Sequence, residues 1–149
     1  MNLKKILTSE TIWCDLRATT KEALIEEFID RLFSAGKIKD REAALQAVRD
    51  REARMSTGMQ NGVAIPHGKT DSVTGLVAAV GLQKNGVDFD SMDKQPSNIF
   101  IFTLSPINGS GPHMQFLAEV SRLLGSADSR EKLLACTTHQ EMYDYLTGK

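Results

Sequence analysis

Gly62-Val63-Ala64-Ile65-Pro66-His67-Gly68-Lys69 sets a short apolar, strand-like run against a proline and then a histidine. Proline fixes φ and cannot donate to a sheet ladder, so the run predicts a strand that ends at Ile65 or Pro66, with His67 at its mouth. Gly68 has no Cβ, which leaves room beside the imidazole for a bulky anion or a partner's backbone. Open α/β sheets carry their chemistry at the carboxyl ends of strands. The stretch therefore implies a fold class and a candidate site together.

The segments on either side supply the rest of such a fold. Upstream, Ile12, Cys14 and Leu16 alternate over 11–16 with the period of a half-buried strand. Thr19 stands three residues before Glu22 as a capping box, and Leu24, Ile25, Phe28, Ile29, Leu32 and Phe33 recur at helical spacing until Gly36. Asp40 predicts the N-cap of a second helix over 41–54, whose small residues Ala43, Ala44, Ala47 and Val48 suit close packing. Its far end, with Arg49, Asp50, Arg51, Glu52 and Arg54, has the composition of a solvated face. Residues 55–61 read as a loop.

Downstream, 76–82 and 99–104 are nearly continuous apolar runs expected to form central strands, with an Asn85-Gly86 turn and a short strand over 87–89 between them. A small-residue loop over 108–111 leads into a helix over 112–124, with Pro112 at its first position and Gly125 just past its end. A helix over 130–136 and one opened by a Thr138/Glu141 capping box complete the pattern. The sum is an α/β fold: one domain over 1–149, with a small mixed β-sheet of four to five strands flanked by helices in three α/β/α layers.

Composition narrows the function. Eighteen Lys and Arg against 19 Asp and Glu give a net charge of −1 with no long block of either sign, so nucleic-acid binding is not expected. Neither the opening residues nor any later run has the apolar length of an export signal or membrane span, and a cytoplasmic protein without membrane insertion is expected. Cys14 and Cys136 form no CxxC pair and read as reduced, buried thiols. His67, His113 and His139 lack HxxxH or HExxH spacing, so neither a metal nor another cofactor is expected.

Two histidines occupy loaded positions, His67 at a strand end and His113 in the first turn of a helix. A helix N-terminus binds anions, and its partial positive charge opposes protonation of a histidine, leaving a neutral ring that can donate a hydrogen bond. No Walker loop, GxGxxG or GxSxG motif is present. A neutral imidazole is already a nucleophile near pH 7. Beside an anion-binding helix end and an arginine, it suits transient attachment of a phosphoryl group to nitrogen.

Ser56-Thr57-Gly58, followed by Asn61 through Lys69, resembles the active-site signature of the fructose/mannitol/nitrogen class of enzyme IIA of the bacterial phosphoenolpyruvate-dependent phosphotransferase system (PTS). Arg51-Glu52 resembles the family's Arg-Glu pair, and Pro112-His113-Met114-Gln115-Phe116-Leu117 its second-histidine segment. The resemblance implies a phosphocarrier in which His67 takes a phosphoryl group from the phosphohistidine of HPr and passes it to a cysteine of a cognate enzyme IIB for sugar uptake. His113 would steady the phosphoryl oxygens and Arg51 would supply a fixed positive charge. The same resemblance implies an alternative, a nitrogen-related regulator whose phosphorylation state controls binding to transporters or kinases.

Neither Cys14 nor Cys136 lies in a phosphate-cradling turn, so the acceptor cysteine is expected on another chain or another part of a longer polypeptide. Ser105, Ser110 and the 108–111 loop are expected to border the docking face. His139 matches no family motif and is expected at the surface. Many members have glycine where Gln60 stands, so the preceding loop is expected to take a different path or to carry a side chain toward the site.

Overall fold

The computed structural model describes residues 3–109 and 111–148. A short helix α1 (Leu3–Ile6) and a 3-10 turn at Ser9–Thr11 precede strand β1 (Ile12–Trp13), which is shorter than the alternation over 11–16 suggests. Helix α2 (Lys21–Ser34) starts where the Thr20 hydroxyl accepts the Ala23 N–H at 3.2 Å. The cap is therefore Thr20 and not Thr19, because only the residue whose hydroxyl reaches the third helical N–H can fill that role. Leu24, Ile25, Phe28, Ile29 and Leu32 are buried along α2, while Phe33 remains 46% exposed. Helix α3 (Arg41–Arg54) is capped by Asp40 as expected.

Strands β2 (Val63–Ala64) and β3 (His67–Lys69) both run parallel to β5 (Ser97–Ser105). Val63 pairs with Ile99 and His67 with Thr103, the same offset of 36 residues on both sides of the proline (99 − 63 = 103 − 67). The expected termination at Ile65 or Pro66 is thus corrected to a local gap in one edge strand. Pro66 removes a single ladder donor, but its carbonyl still accepts the Thr103 N–H at 3.3 Å, and that keeps the strand in register through His67.

β4 (Val77–Val87) pairs antiparallel with β5 and parallel with β1, giving a mixed five-stranded sheet in the order β1-β4-β5 with β2 and β3 along the far edge. Asn85-Gly86 lies inside β4, so there is no separate strand over 87–89. Register against β5 shifts between Leu82 and Val87, and Gly86 takes φ +84° there, the signature of an irregularity within one strand.

Alternation along β5 feeds two cores. Phe100, Phe102 and Leu104 pack with α2 and α3, and the Phe102 ring stacks on Phe28 at 4.8 Å. Ile99 and Ile101 pack with α4 (Gly111–Leu124), α5 (Ala127–Leu134) and α6 (His139–Thr147) on the other face. The three-layer α/β/α expectation holds. Helix boundaries differ in detail: α4 opens at Gly111, so Pro112 is its second residue, and α5 begins early because Ser126 accepts the Ser129 N–H. Gly125 has no positive φ; left-handed glycines follow α2 at Gly36, at φ +76°, and α6 at Gly148, at φ +79°.

Gly68 has a different use from the one its sequence position suggests. A Cβ there would lie 3.0 Å from the Val48 nitrogen and 3.1 Å from the Ala47 carbonyl carbon. The missing side chain lets α3 rest directly on β3, so the space is filled by the protein's own backbone and not held open for a ligand. This contact brings the end of α3, with Arg51, beside His67.

Candidate functional site

His67 and Lys69 project from β3 into a cleft of about 770 Å³ that is also lined by Ala47, Arg51 and Arg54 of α3 and by Ile107. Residues two apart on a strand share a face, which places Lys69 beside His67. Lys69 and Arg54 have no ion-pair partner among the described residues, whereas Asp50 accepts from the Gln46 amide at 2.7 Å and Asp71 from the Ile107 N–H at 3.4 Å. Unpaired cations beside a half-buried imidazole make the cleft receptive to an anion.

The His67 ring is oriented by its own strand. Its Nδ1 lies 2.8 Å from the Ile65 carbonyl. A carbonyl oxygen can only accept, so Nδ1 carries the hydrogen and Nε2 holds the lone pair of the neutral ring. Ile65 is available for this because it faces away from β5, and its N–H donates to the Thr57 carbonyl at 3.0 Å. Burial pushes the His67 pKa below its usual value. The Ile65 bond and the Glu52 charge oppose that shift, while the Arg51 and Lys69 charges add to it. The ring is neutral and nucleophilic at pH 7.

His113 is only 7% exposed, and its ring centroid lies 5.2 Å from that of His67. Its Nε2 is 2.9 Å from the Thr103 hydroxyl. Thr103 is also the register partner of His67, so the pairing of β3 with β5 draws all three residues together. The His113 pKa is pushed down to about 4, first by burial and then by the charges of His67 and Lys69. The direction agrees with the expectation for a helix start, but the principal cause is desolvation.

Arg51 is half-buried and donates from Nη1 to the Met55 carbonyl at 2.8 Å, which pins the guanidinium at the end of α3. The three residues singled out in the sequence thus converge on one region. His139 stands apart, with its Nε2 3.3 Å from the Asp15 carboxylate.

Four neighbours of the site were given no role from the sequence: Thr57 and Lys69, which stand within the signature stretch, Arg54, which read as part of a solvated face, and Thr103. Strand spacing from His67 could have indicated Lys69, but nothing local announces that Thr103 lies opposite. Gln60 is resolved by the turn it opens. Asn61 at φ +63° and Gly62 at φ +78° form a two-residue hairpin turn in which the Val63 N–H donates to the Gln60 carbonyl at 3.3 Å. Gln60 has no positive φ, and its side chain is not among those that line the cleft. Ser105 is buried in β5 at 2% exposure and cannot border a docking face, and Ser110 lies outside the described residues.

The depressed His113 pKa makes stability depend on pH. The unfolded ring binds a proton near pH 6.5 and the folded ring only near 4, so acid favours the unfolded chain within that window. The stability present above pH 6.5 falls by about 2 kcal/mol between pH 6.5 and 5 from this group alone. Urea unfolding at pH 7 and pH 5 should show that loss in the wild type and a smaller one in His113→Ala.

A model of the phosphoenolpyruvate-dependent sugar phosphotransferase system EIIA 2 family matches residues 5–149. The PTS system fructose-specific EIIA component of Haloferax volcanii is 38% identical over 145 residues, which cover 97% of this chain and 94% of that protein. Among solved structures, nitrogen regulatory protein IIA-Ntr from Neisseria meningitidis aligns with a TM-score of 0.84 at 28% identity, covering 97% of this chain and 99% of that one. Enzyme IIA-Mtl of Escherichia coli, solved in complex with phosphorylated enzyme IIB-Mtl, aligns with a TM-score of 0.81 at 25% identity, covering 96% and 98%. No helix among the described residues is long and apolar enough to cross a membrane.

Proposed function

The chain belongs to the phosphoenolpyruvate-dependent sugar phosphotransferase system EIIA 2 family, and from that premise we propose that it is a cytoplasmic phosphocarrier, acting as one domain over 1–149, with His67 as the residue phosphorylated. The observation that carries this reading is the His67 ring, locked through Nδ1 to the Ile65 carbonyl so that Nε2 keeps its lone pair in a cleft holding Arg51 and Lys69. In the loading step, Nε2 attacks the phosphorus of the phosphohistidine of HPr. A new N–P bond forms as the old one breaks, and the departing electron pair returns to the donor's ring nitrogen. In the unloading step, a cysteine thiolate of enzyme IIB attacks the same phosphorus, and the N–P electron pair returns to Nε2.

Such transfers are catalysed mainly by positioning and by charge that meets the phosphoryl oxygens. Arg51 supplies that charge from a fixed position, and His113 steadies the oxygens as a neutral partner. The acceptor assignment is supported by the likeness to enzyme IIA-Mtl, which was solved with phosphorylated enzyme IIB-Mtl. A second reading, regulation through the phosphorylation state, is favoured by the likeness to nitrogen regulatory protein IIA-Ntr.

Incubation with labelled phosphoenolpyruvate, enzyme I and HPr should give an acid-labile, base-stable label. Discharge of that label onto the cysteine of an enzyme IIB supports sugar transport. Retention of label before every enzyme IIB offered, with binding to a transporter or kinase that changes on phosphorylation, supports the regulatory reading. Absence of any label overturns both.

A further inference from the structure

We propose that Glu52 is a positioning residue for His67, acting through Thr57 and the Ile65 carbonyl to hold the imidazole in the tautomer that leaves Nε2 unprotonated; the link to transfer rests on the phosphocarrier reading above. The path is continuous. Lys21 Nζ lies 2.7 Å from the Glu52 Oε2 atom, with the two side chains 13% and 6% exposed. The Thr57 N–H donates to Oε2 of Glu52 at 2.8 Å, and the Thr57 hydroxyl donates to Oε1 at 2.5 Å. The Thr57 carbonyl then accepts the Ile65 N–H at 3.0 Å, and the Ile65 carbonyl accepts the Nδ1 hydrogen of His67 at 2.8 Å.

Both oxygens of the Glu52 carboxylate are thereby committed, and Thr57 is only 2% exposed. A carboxylate buried in this way is costly unless its partners are fixed. Here the partners fix in turn the one segment that bonds to His67. Pro66 makes this support necessary, since β5 loses a ladder bond next to Ile65 and the outward bond to Thr57 takes up the constraint. Lys21 adds to the rigidity, with its ammonium 5.1 Å from the centre of the Phe89 ring and 3.4 Å from Asp90. If Thr57 shifted, the Ile65 carbonyl would lose its aim and nothing else on the strand would dictate which ring nitrogen carries the hydrogen.

The test reads the unphosphorylated protein first. Long-range 15N–1H NMR of the full chain should show His67 with Nδ1–H in the wild type. In Thr57→Val, which keeps the side-chain shape but removes the hydroxyl donor, and in Glu52→Gln, a substantial share of the Nε2–H tautomer should appear, and Thr57→Ser should restore the wild-type ratio. The neutral His113 ring lies beside His67, and the charged groups facing the cleft are Asp50, Arg51, Arg54, Lys69 and Asp71, with Glu52 behind it; of the charges that shift the His67 pKa, Arg51 and Lys69 lower it and Glu52 raises it. Glu52→Gln should therefore move the His67 titration further below the wild-type value, whereas an unfolded chain would move it up toward 6.5. Loading from HPr should slow on the order of tenfold, as for other outer partners that orient an imidazole.

An unchanged tautomer ratio in Thr57→Val overturns the proposal, even if Glu52→Gln fails to fold. Changed tautomers in a protein that never takes label at His67 would uphold the positioning role and defeat the phosphocarrier reading, so the two failures are distinguishable.

Discussion

His67→Gln should take up no phosphoryl group. Glutamine preserves a polar side chain of similar reach, but its amide nitrogen has a delocalised lone pair and cannot attack phosphorus. Removing the nucleophile of a covalent mechanism costs several orders of magnitude, about 10⁶ where the comparison has been made for a hydrolase, so label in the variant should fall to background. The fold should survive. The His67 side chain is half-buried and, among the described residues, makes one hydrogen bond, to the Ile65 carbonyl, worth about 1 kcal/mol net against a typical total of about 5–15 kcal/mol. The rate profile provides a second readout. Because burial holds the His67 pKa below 6.5, loading should stay at its plateau down to a pH at which an ordinary histidine would already be protonated, and should then fall as Nε2 gains its proton. Mass spectrometry of the loaded wild type should place the phosphate on the peptide containing His67. Label that persists in His67→Gln, on His113 or elsewhere, would remove His67 from its role.

Much of this site was legible because its chemistry sits in short local motifs. Proline before histidine marks a strand position, a capping residue marks the start of α3, and eleven residues beyond Asp40 places Arg51 near that helix's end. What escaped depends on how segments meet. Constant register through Pro66 could not be read from a residue that normally ends strands, since it is β5, far along the chain, that supplies the bonds holding His67 in line. Gly68 illustrates the same limit. Its missing side chain signals a close approach, but only the packed α3 backbone shows that the approaching group is the protein itself. Thr103 looks like ordinary β-branched filler in sequence, and Thr57, although within the signature stretch, carries no local sign of what it bonds. They matter because one bonds His113 while flanking His67, and the other links Glu52 to the strand that presents His67.

His113→Ala should still become labelled but should pass the phosphoryl group onward about 100-fold more slowly, the effect of losing one aligned hydrogen-bond donor from a phosphoryl or oxyanion site. With a pKa of about 4, His113 is uncharged near pH 7, so the part we propose for it is to orient the phosphoryl group and not to neutralise it. Loading can reach its end point without it, because Nε2 of His67 and the charge of Arg51 remain. Unloading is more demanding: the cysteine must approach in line with the N–P bond, and a phosphoryl group free to rotate presents that line only part of the time. Single-turnover discharge onto enzyme IIB should expose the defect even where the extent of loading is normal. Thr103→Val gives an internal control, since it retains the ring but removes the hydroxyl 2.9 Å from Nε2, and its discharge rate should lie between those of the wild type and His113→Ala. If discharge in His113→Ala matches the wild type, the 5.2 Å approach of the two rings serves packing alone; equal labelling of both histidines would instead make His113 a second acceptor and overturn the division of roles.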